Sequence, residues 1–165
     1  YQRRVSLLCR VELLPMRRLL LLVLLLAPFY VEAQSHMYRG GSTYTSNILY
    51  TFDGKYLYRG NSTYSSDIIY TFDGQQVYQG NSTYSSDILL TFDGRYIYEG
   101  NSRYTSDTLF TFDGKYLYAG RSTYSSDIVC TFERRHIFAG GSTYSSDILY
   151  TLDGEIPVAL LVLLM

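Results

Sequence analysis

The sequence predicts an all-β repeat protein, specifically a β-solenoid of six coils with 20 residues in each coil. From Tyr38 onward a 20-residue unit occurs six times without insertions, so the copies fill residues 38–157. Each copy holds two short β-branched and aromatic runs, such as Ile48–Phe52 and Tyr56–Tyr58, bounded by Asp-Gly and by glycine. Whole columns of the repeat are fixed, which is expected where every residue stacks on its own copies.

A β-hairpin repeat array is the alternative fold. Asp53-Gly54 lies between two strand-like runs, and this dipeptide is typical of a type I′ hairpin turn because both residues tolerate positive φ. Each repeat would then be one hairpin rather than one coil. The equal length of all six copies favours the solenoid.

Two aliphatic columns are predicted to face the core, because neighbouring columns such as Lys55, Gln75 and Arg95 vary in charge and suit solvent. The first column consists of Leu49, Ile69, Leu89, Leu109, Val129 and Leu149. The second consists of Leu57, Val77, Ile97, Leu117 and Ile137, with Pro157 in the sixth copy.

Residues 16–33 have the pattern of a secretory signal peptide. Met16-Arg17-Arg18 is a short basic region, Leu19–Ala27 is an unbroken apolar run, and Val31-Glu32-Ala33 suits cleavage before Gln34. An uncleaved anchor is the alternative. Residues 1–15 precede Met16 and are interpreted as an upstream or non-native segment. The leader predicts a protein that is secreted or displayed on the cell surface.

The two ends of the repeat region differ in how they would be covered. Residues 158–165 continue an apolar tail that is too short for the ~20 residues of a membrane span. They are interpreted as a cap on the last coil, a truncated membrane segment, or a segment that inserts into a partner. Only four residues, 34–37, lie between the predicted cleavage site and the first repeat at Tyr38, so we expect self-association through an uncovered N-terminal coil. Membrane contact is expected only through the leader or the tail.

Composition argues against several classes of function. The net charge is −1, which gives no basic surface for nucleic acid. Two histidines and two cysteines form no recurring catalytic or metal-ligating set, so we predict no enzyme, no catalytic residues, no cofactor and no metal site. Two columns of aspartates, which contain Asp53 and Asp67, leave calcium as an alternative to turn and capping roles.

Tyrosine is the residue type that could carry recognition. One tyrosine column is fixed in all six copies, and so many tyrosines on a thin coil cannot all be buried. Ordered, exposed tyrosines bind partners at low entropic cost, so we expect this column to contact a surface glycan or a protein. The candidate ligand-binding row consists of Tyr44, Tyr64, Tyr84, Tyr104, Tyr124 and Tyr144.

The repeat text resembles tandem YxGxSTYSSDILYTFDG arrays in uncharacterised bacterial secreted proteins, over residues 38–157. It is more weakly similar to MORN repeats and to the aromatic hairpin repeats that bind cell-wall choline, although the MORN period differs and tryptophan is absent. The resemblance implies that the protein is secreted, and it assigns no particular activity to the chain. We therefore expect a secreted or surface-displayed structural or adhesive repeat protein without catalytic activity. The alternative is a carbohydrate- or cell-wall-binding module that uses exposed tyrosine rows.

Overall fold

A computed structural model describes residues 34–165, which form twelve short strands and one short helix. The upstream segment 1–15 and the signal peptide 16–33 lie outside the described residues. The strands are β1 (Ser35–Arg39), β2 (Ile48–Phe52), β3 (Tyr56–Arg59), β4 (Ile68–Phe72), β5 (Gln76–Gln79), β6 (Ile88–Phe92), β7 (Tyr96–Glu99), β8 (Thr108–Phe112), β9 (Tyr116–Ala119), β10 (Ile128–Glu133), β11 (His136–Ala139) and β12 (Ile148–Leu152). The helix is α1 (Val158–Val162). Single 3₁₀ turns precede the even-numbered strands, at Thr45–Asn47, Ser65–Asp67, Ser85–Asp87, Thr105–Asp107, Ser125–Asp127 and Ser145–Asp147.

The strands form one closed antiparallel barrel in which β1 pairs with both β12 and β2. The predicted all-β class is confirmed, but the solenoid is wrong. Consecutive strands pair antiparallel, so each repeat is a hairpin, as in the alternative prediction. Fixed columns did not separate the two folds, because a ring of hairpins gives every copy the same neighbours just as a stack of coils does.

The Asp-Gly turns differ from the predicted type I′ geometry. At the first turn only Gly54 has positive φ, 99°, while Asp53 does not. The Asp53 carboxylate instead holds the turn, because its Oδ1 accepts the backbone N–H groups of Lys55 at 2.9 Å and Tyr56 at 2.6 Å. The turn therefore requires aspartate for its side-chain hydrogen bonds and glycine for its positive φ.

The segments that lead into the even-numbered strands, residues 40–47, 60–67, 80–87, 100–107, 120–127 and 140–147, are called the outer loops. Each begins with a glycine in the left-handed region, such as Gly60 with φ 65°. The Thr51 hydroxyl donates to the Gly60 carbonyl at 2.8 Å, and Thr51 is fully buried. The same bond recurs in every copy and ties the first residue of each outer loop to a buried threonine. This contact explains why the glycine and threonine columns are invariant.

The interior is lined by the column that contains Leu57, whose five aliphatic members are all 0 % exposed, whereas Pro157 in the sixth copy is half-buried. The other aliphatic column was wrongly predicted to be core, because none of its members is buried: Leu109, Val129 and Leu149 are 36 %, 41 % and 39 % exposed, and the other three are half-buried. A register shift explains this: Leu57 pairs with Tyr70 and Tyr58 pairs with Ile68, so Ile69 has no residue opposite it. Every member of this column is the extra residue of such a bulge.

The sixth hairpin is assembled from the two ends of the repeat region. β12 supplies its first strand and β1 supplies its second, with Met37 in the buried position that Leu57 occupies elsewhere. Asp153 accepts the backbone N–H of His36 at 2.5 Å and the Tyr38 hydroxyl at 2.8 Å, as Asp53 does within its own turn. Ser35, His36 and Met37 thus belong to β1, the closing strand, and neither edge of β1 is free in the described part of the chain.

The apolar tail is packed against the barrel interior. Ala159, Leu160 and Leu161 are at most 1 % exposed and belong to the core cluster. Val158 and Leu161 line a cavity of about 590 Å³ together with Phe52, Phe92 and Phe112 from the ends of three strands. Among residues 34–165, no helix is long and apolar enough to cross a membrane.

Candidate functional site

The predicted tyrosine row is arranged as a ring of six outer-loop tyrosines. Each precedes a 3₁₀ turn in nearly the same backbone conformation, with φ −76° and ψ 136° at Tyr44 and φ −78° and ψ 140° at Tyr64. All six rings are 75–76 % exposed. The structure therefore places this column at the surface, distributed around the barrel rather than stacked along one side.

A local hydrogen-bond unit holds each of these tyrosines. In the second copy the backbone N–H of Tyr64 donates to Ser62 Oγ at 3.2 Å, and the Ser62 hydroxyl donates to an Asp67 carboxylate oxygen. The Asp67 backbone N–H returns to the Tyr64 carbonyl at 2.9 Å. The phenol ring is thus presented from an ordered backbone, which lowers the entropy lost when it contacts a partner.

Packing does not account for the identity of the outer-loop tyrosines. Exposed neighbours vary between copies: Thr63 is replaced by Arg103, and Asn61 by Arg121. Tyrosine remains in all six copies although an exposed ring contributes little to folding. This combination of exposure and internal invariance makes the ring the best candidate site.

The tyrosine column that contains Tyr58 has a structural role instead. Tyr58 is 6 % exposed, and its hydroxyl donates to Asp53 Oδ2 at 2.8 Å. Burial first, and then this bond to a carboxylate, raise the pKa of Tyr58 to about 12. The equivalent tyrosines with raised pKa values are Tyr38, Tyr78, Tyr98 and Tyr118.

The outer loops also carry carboxylates that the sequence did not associate with the tyrosines. Hydrogen bonds from the hydroxyls of Ser102 and Ser106 lower the pKa of Asp107, which stays ionised beside Tyr104. A serine five residues before an aspartate was the available signal, but only the structure shows that the two side chains meet. The same pairing occurs in five copies, while Asn47 replaces the aspartate in the first.

The Asp53 column has the turn role that the sequence offered, whereas the Asp67 column binds side-chain hydroxyls rather than capping backbone N–H groups. Residues 34–165 contain no group of three or more histidine, cysteine, aspartate or glutamate side chains that could hold a metal ion. The ring arrangement also removes the stacked ladder on which a bridging calcium site would depend.

The fifth hairpin departs from the others at two coupled positions. Glu133 replaces the turn aspartate, and Phe138 replaces the tyrosine that would donate to it. Arg134 takes the glycine position with φ 57°, the single positive-φ residue other than glycine in residues 34–165. Acid and phenol thus change together, which indicates that they act as a pair in the remaining hairpins.

Comparisons with known proteins agree with this geometry. No curated protein and no solved structure matches the chain. The family model of the 6-fold beta flower proteins matches residues 37–161. That match begins within the closing strand and ends within α1, so it covers the six hairpins and most of the tail. The chain therefore belongs to the 6-fold beta flower protein family.

Proposed function

We propose that this protein is a secreted or surface-displayed, non-catalytic adhesive protein that binds through its six outer-loop tyrosines. The observation that carries the proposal is that six tyrosines, 75–76 % exposed, recur in one backbone geometry around a closed ring. Each contact would be weak alone. Six contacts on one rigid scaffold raise the overall affinity for a repetitive surface through effective concentration.

A neutral glycan is the ligand class that the outer loops fit best. Each tyrosine offers an aromatic face to the apolar face of a sugar ring. In five copies the adjacent carboxylate, such as Asp107, can accept a sugar hydroxyl. Those five aspartates also disfavour anionic polymers, because like charges repel at short range. The members are Asp67, Asp87, Asp107, Asp127 and Asp147.

Stepwise removal of the tyrosines tests the binding site. We expect the full chain to co-sediment with an insoluble neutral polysaccharide, and Tyr→Ser changes in two, four and six outer loops to weaken retention progressively. The fold should persist because the exposed rings pack on little. The matched control replaces three exposed residues of another column, Arg39, Arg59 and Glu99, by serine. Equal retention of the six-tyrosine variant and the control would contradict the proposal.

Export is the second part of the proposal. The resemblance to bacterial secreted tandem-repeat proteins supports it, as does the position of the predicted cleavage site. Cleavage before Gln34 would leave the closing strand intact, because β1 begins at Ser35. Mass spectrometry of the exported product should find Gln34 as its first residue, whereas an exported product that retains residues 19–33 would contradict this part.

A further inference from the structure

The β12–β1 pair differs from the other hairpins because no turn connects its two strands, which come from opposite ends of the repeat region. Its interactions are nevertheless those of a connected hairpin: Met37 pairs with Leu152, Tyr38 with Thr151 and Arg39 with Tyr150. All of these bonds are made between the two ends of the repeat region. Any β1-type strand that reaches the gap between β12 and β2 can make the same bonds.

We propose that β1 is an exchangeable closing strand, and that the partner it fits is the gap between β12 and β2 of a second copy of this chain. Exchange replaces each intramolecular bond of β1 by an identical intermolecular one, so the two closed barrels of a swapped pair keep every ladder. What changes is the path of the connecting outer loop and the entropy of association. This inference does not depend on the tyrosine surface.

The first outer loop, which would become the hinge, is the one built most loosely. Asn47 replaces aspartate, so its bond to Ser42 Oγ at 2.7 Å is between neutral groups, whereas the other copies use a carboxylate. Gly41 adds backbone freedom next to Gly40, where most other copies carry a side chain. Fully extended, residues 41–47 reach about 24 Å, a span that can link two adjacent barrels.

Gly154 lies against Ser35 of β1 with no room for a side chain between them. A Cβ atom on Gly154 would overlap the Ser35 side chain and lie 3.1 Å from its Cα atom, whereas one on Gly94 or Gly114 would meet nothing within 4 Å. Gly154→Ala should therefore weaken the packing of β1 in its own barrel and leave the other hairpins unchanged. Gly114→Ala is a comparison variant that disturbs a turn without touching β1, because Gly114 has φ 97° and nothing near its Cβ position, whereas Gly154 lies outside the positive-φ region and its Cβ would meet Ser35.

Disulfide trapping tests the exchange directly. Arg39 and Tyr150 are opposed in the ladder, so R39C/Y150C can form a disulfide across the β12–β1 pair. Full-length ¹⁴N- and ¹⁵N-labelled chains in a C9S background are mixed at high concentration and then oxidised. Buried Cys130 stays out of the reaction, because burial raises its pKa to about 12. The control is Y50C/R59C, the equivalent opposed pair inside a connected hairpin.

We expect mixed-isotope disulfides between positions 39 and 150, and none between positions 50 and 59. Asp153→Asn should raise the rate at which mixed disulfides form on the order of tenfold, because it weakens the hydrogen bonds to a charged group that must break before β1 leaves its own barrel. Asp53→Asn, its counterpart in a connected hairpin, should not. Disulfides confined to single chains in the R39C/Y150C protein, with or without D153N, would overturn the proposal.

A second measurement covers the case in which the cysteine variants fail to fold. Exchange of β1 is followed without any introduced cysteines, by native mass spectrometry of mixed ¹⁴N- and ¹⁵N-labelled full-length chains. Mixed dimers that form faster in the G154A variant than in the G114A variant support exchange. Equal rates in the two variants, or monomers throughout, would overturn it.

Discussion

At the residue scale, the turn aspartates and the buried tyrosines act as pairs. Asp113 Oδ2 accepts the Tyr118 hydroxyl at 2.9 Å while Oδ1 accepts two backbone N–H groups. One carboxylate thus joins a turn to the strand that follows it. The fifth hairpin, with Glu133 and Phe138, is a natural double substitution of this pair.

Tyr118→Phe should lower the free energy of unfolding by about 1.5 kcal/mol, because it removes a hydrogen bond to a charged group. In a D113N background the same change should cost clearly less, since the charged acceptor is already gone. Urea denaturation of the two single variants and the double variant measures the coupling. Additive losses would show that the residues act independently.

The acidity of the turn aspartates predicts how stability depends on pH. Burial alone would raise the pKa of Asp113, but hydrogen bonds from Tyr116, Lys115 and Tyr118 outweigh it and lower the pKa. The same balance lowers the pKa values of Asp73, Asp93 and Asp153. The unfolded chain then binds protons first as the pH falls, so stability is complete above pH ~4 and declines below it.

Thermal melts at pH 7, 5, 4 and 3 check this expectation. The melting temperature should change little between pH 7 and 5 and fall between pH 4 and 3. D113N removes one contributing carboxylate, so its decline should be shallower than that of the unchanged protein. A melting temperature that rises below pH 4 would contradict the assigned direction of the pKa shifts.

At the element scale, each hairpin carries two aliphatic columns, of which the Leu57 column is buried and the Leu109 column is partly exposed. Leu117 is 0 % exposed on β9, whereas Leu109 is the bulge residue of β8 and is 36 % exposed. The bulge arises where the outer loop enters the strand. It decides which aliphatic residue reaches the interior.

Leu117→Ala should destabilise the protein by about 2–5 kcal/mol, as removal of a fully buried leucine does. Leu109→Ala should cost less than about 1 kcal/mol, because much of its surface is already in contact with water. Chemical denaturation of the two variants compares the columns. A larger loss for L109A than for L117A would show that the burial of the two columns is assigned wrongly.

The repeat unit alone was enough to predict the strands, the presence of turns, the all-β class and the exposure of the candidate tyrosine column. Thr51, Gly54 and Gly60 could be identified as fixed, but their causes could not, since these depend on contacts of the folded hairpin. The closed ring could not be predicted, because it depends on Met37 and Tyr38 acting as the missing half of the last hairpin. Met37 and Tyr38 correspond to Leu57 and Tyr58 of β3, but this match can be recognised only when it is known where each hairpin begins.

At the scale of the whole molecule, the closure of the barrel covers the strand edges and the tail packs against the interior. β1 pairs with the edges of β12 and β2, while Leu160 and Leu161 are buried in the interior, where Leu161 lines a cavity together with phenylalanines from the strand ends. A closed barrel leaves no strand edge for unplanned pairing. The expected association through an open N-terminal coil therefore loses its physical basis, and self-association is proposed through exchange of β1 instead.

Native-state hydrogen exchange measured residue by residue tests closure most directly. If β1 is a full member of the barrel, its ladder amides should be protected to within about tenfold of those of β9, a strand of the same type inside a connected hairpin. The outer-loop amides without backbone partners should exchange much faster and serve as the internal reference. Amides of residues 35–39 that exchange at the outer-loop rate would contradict the closed sixfold ring.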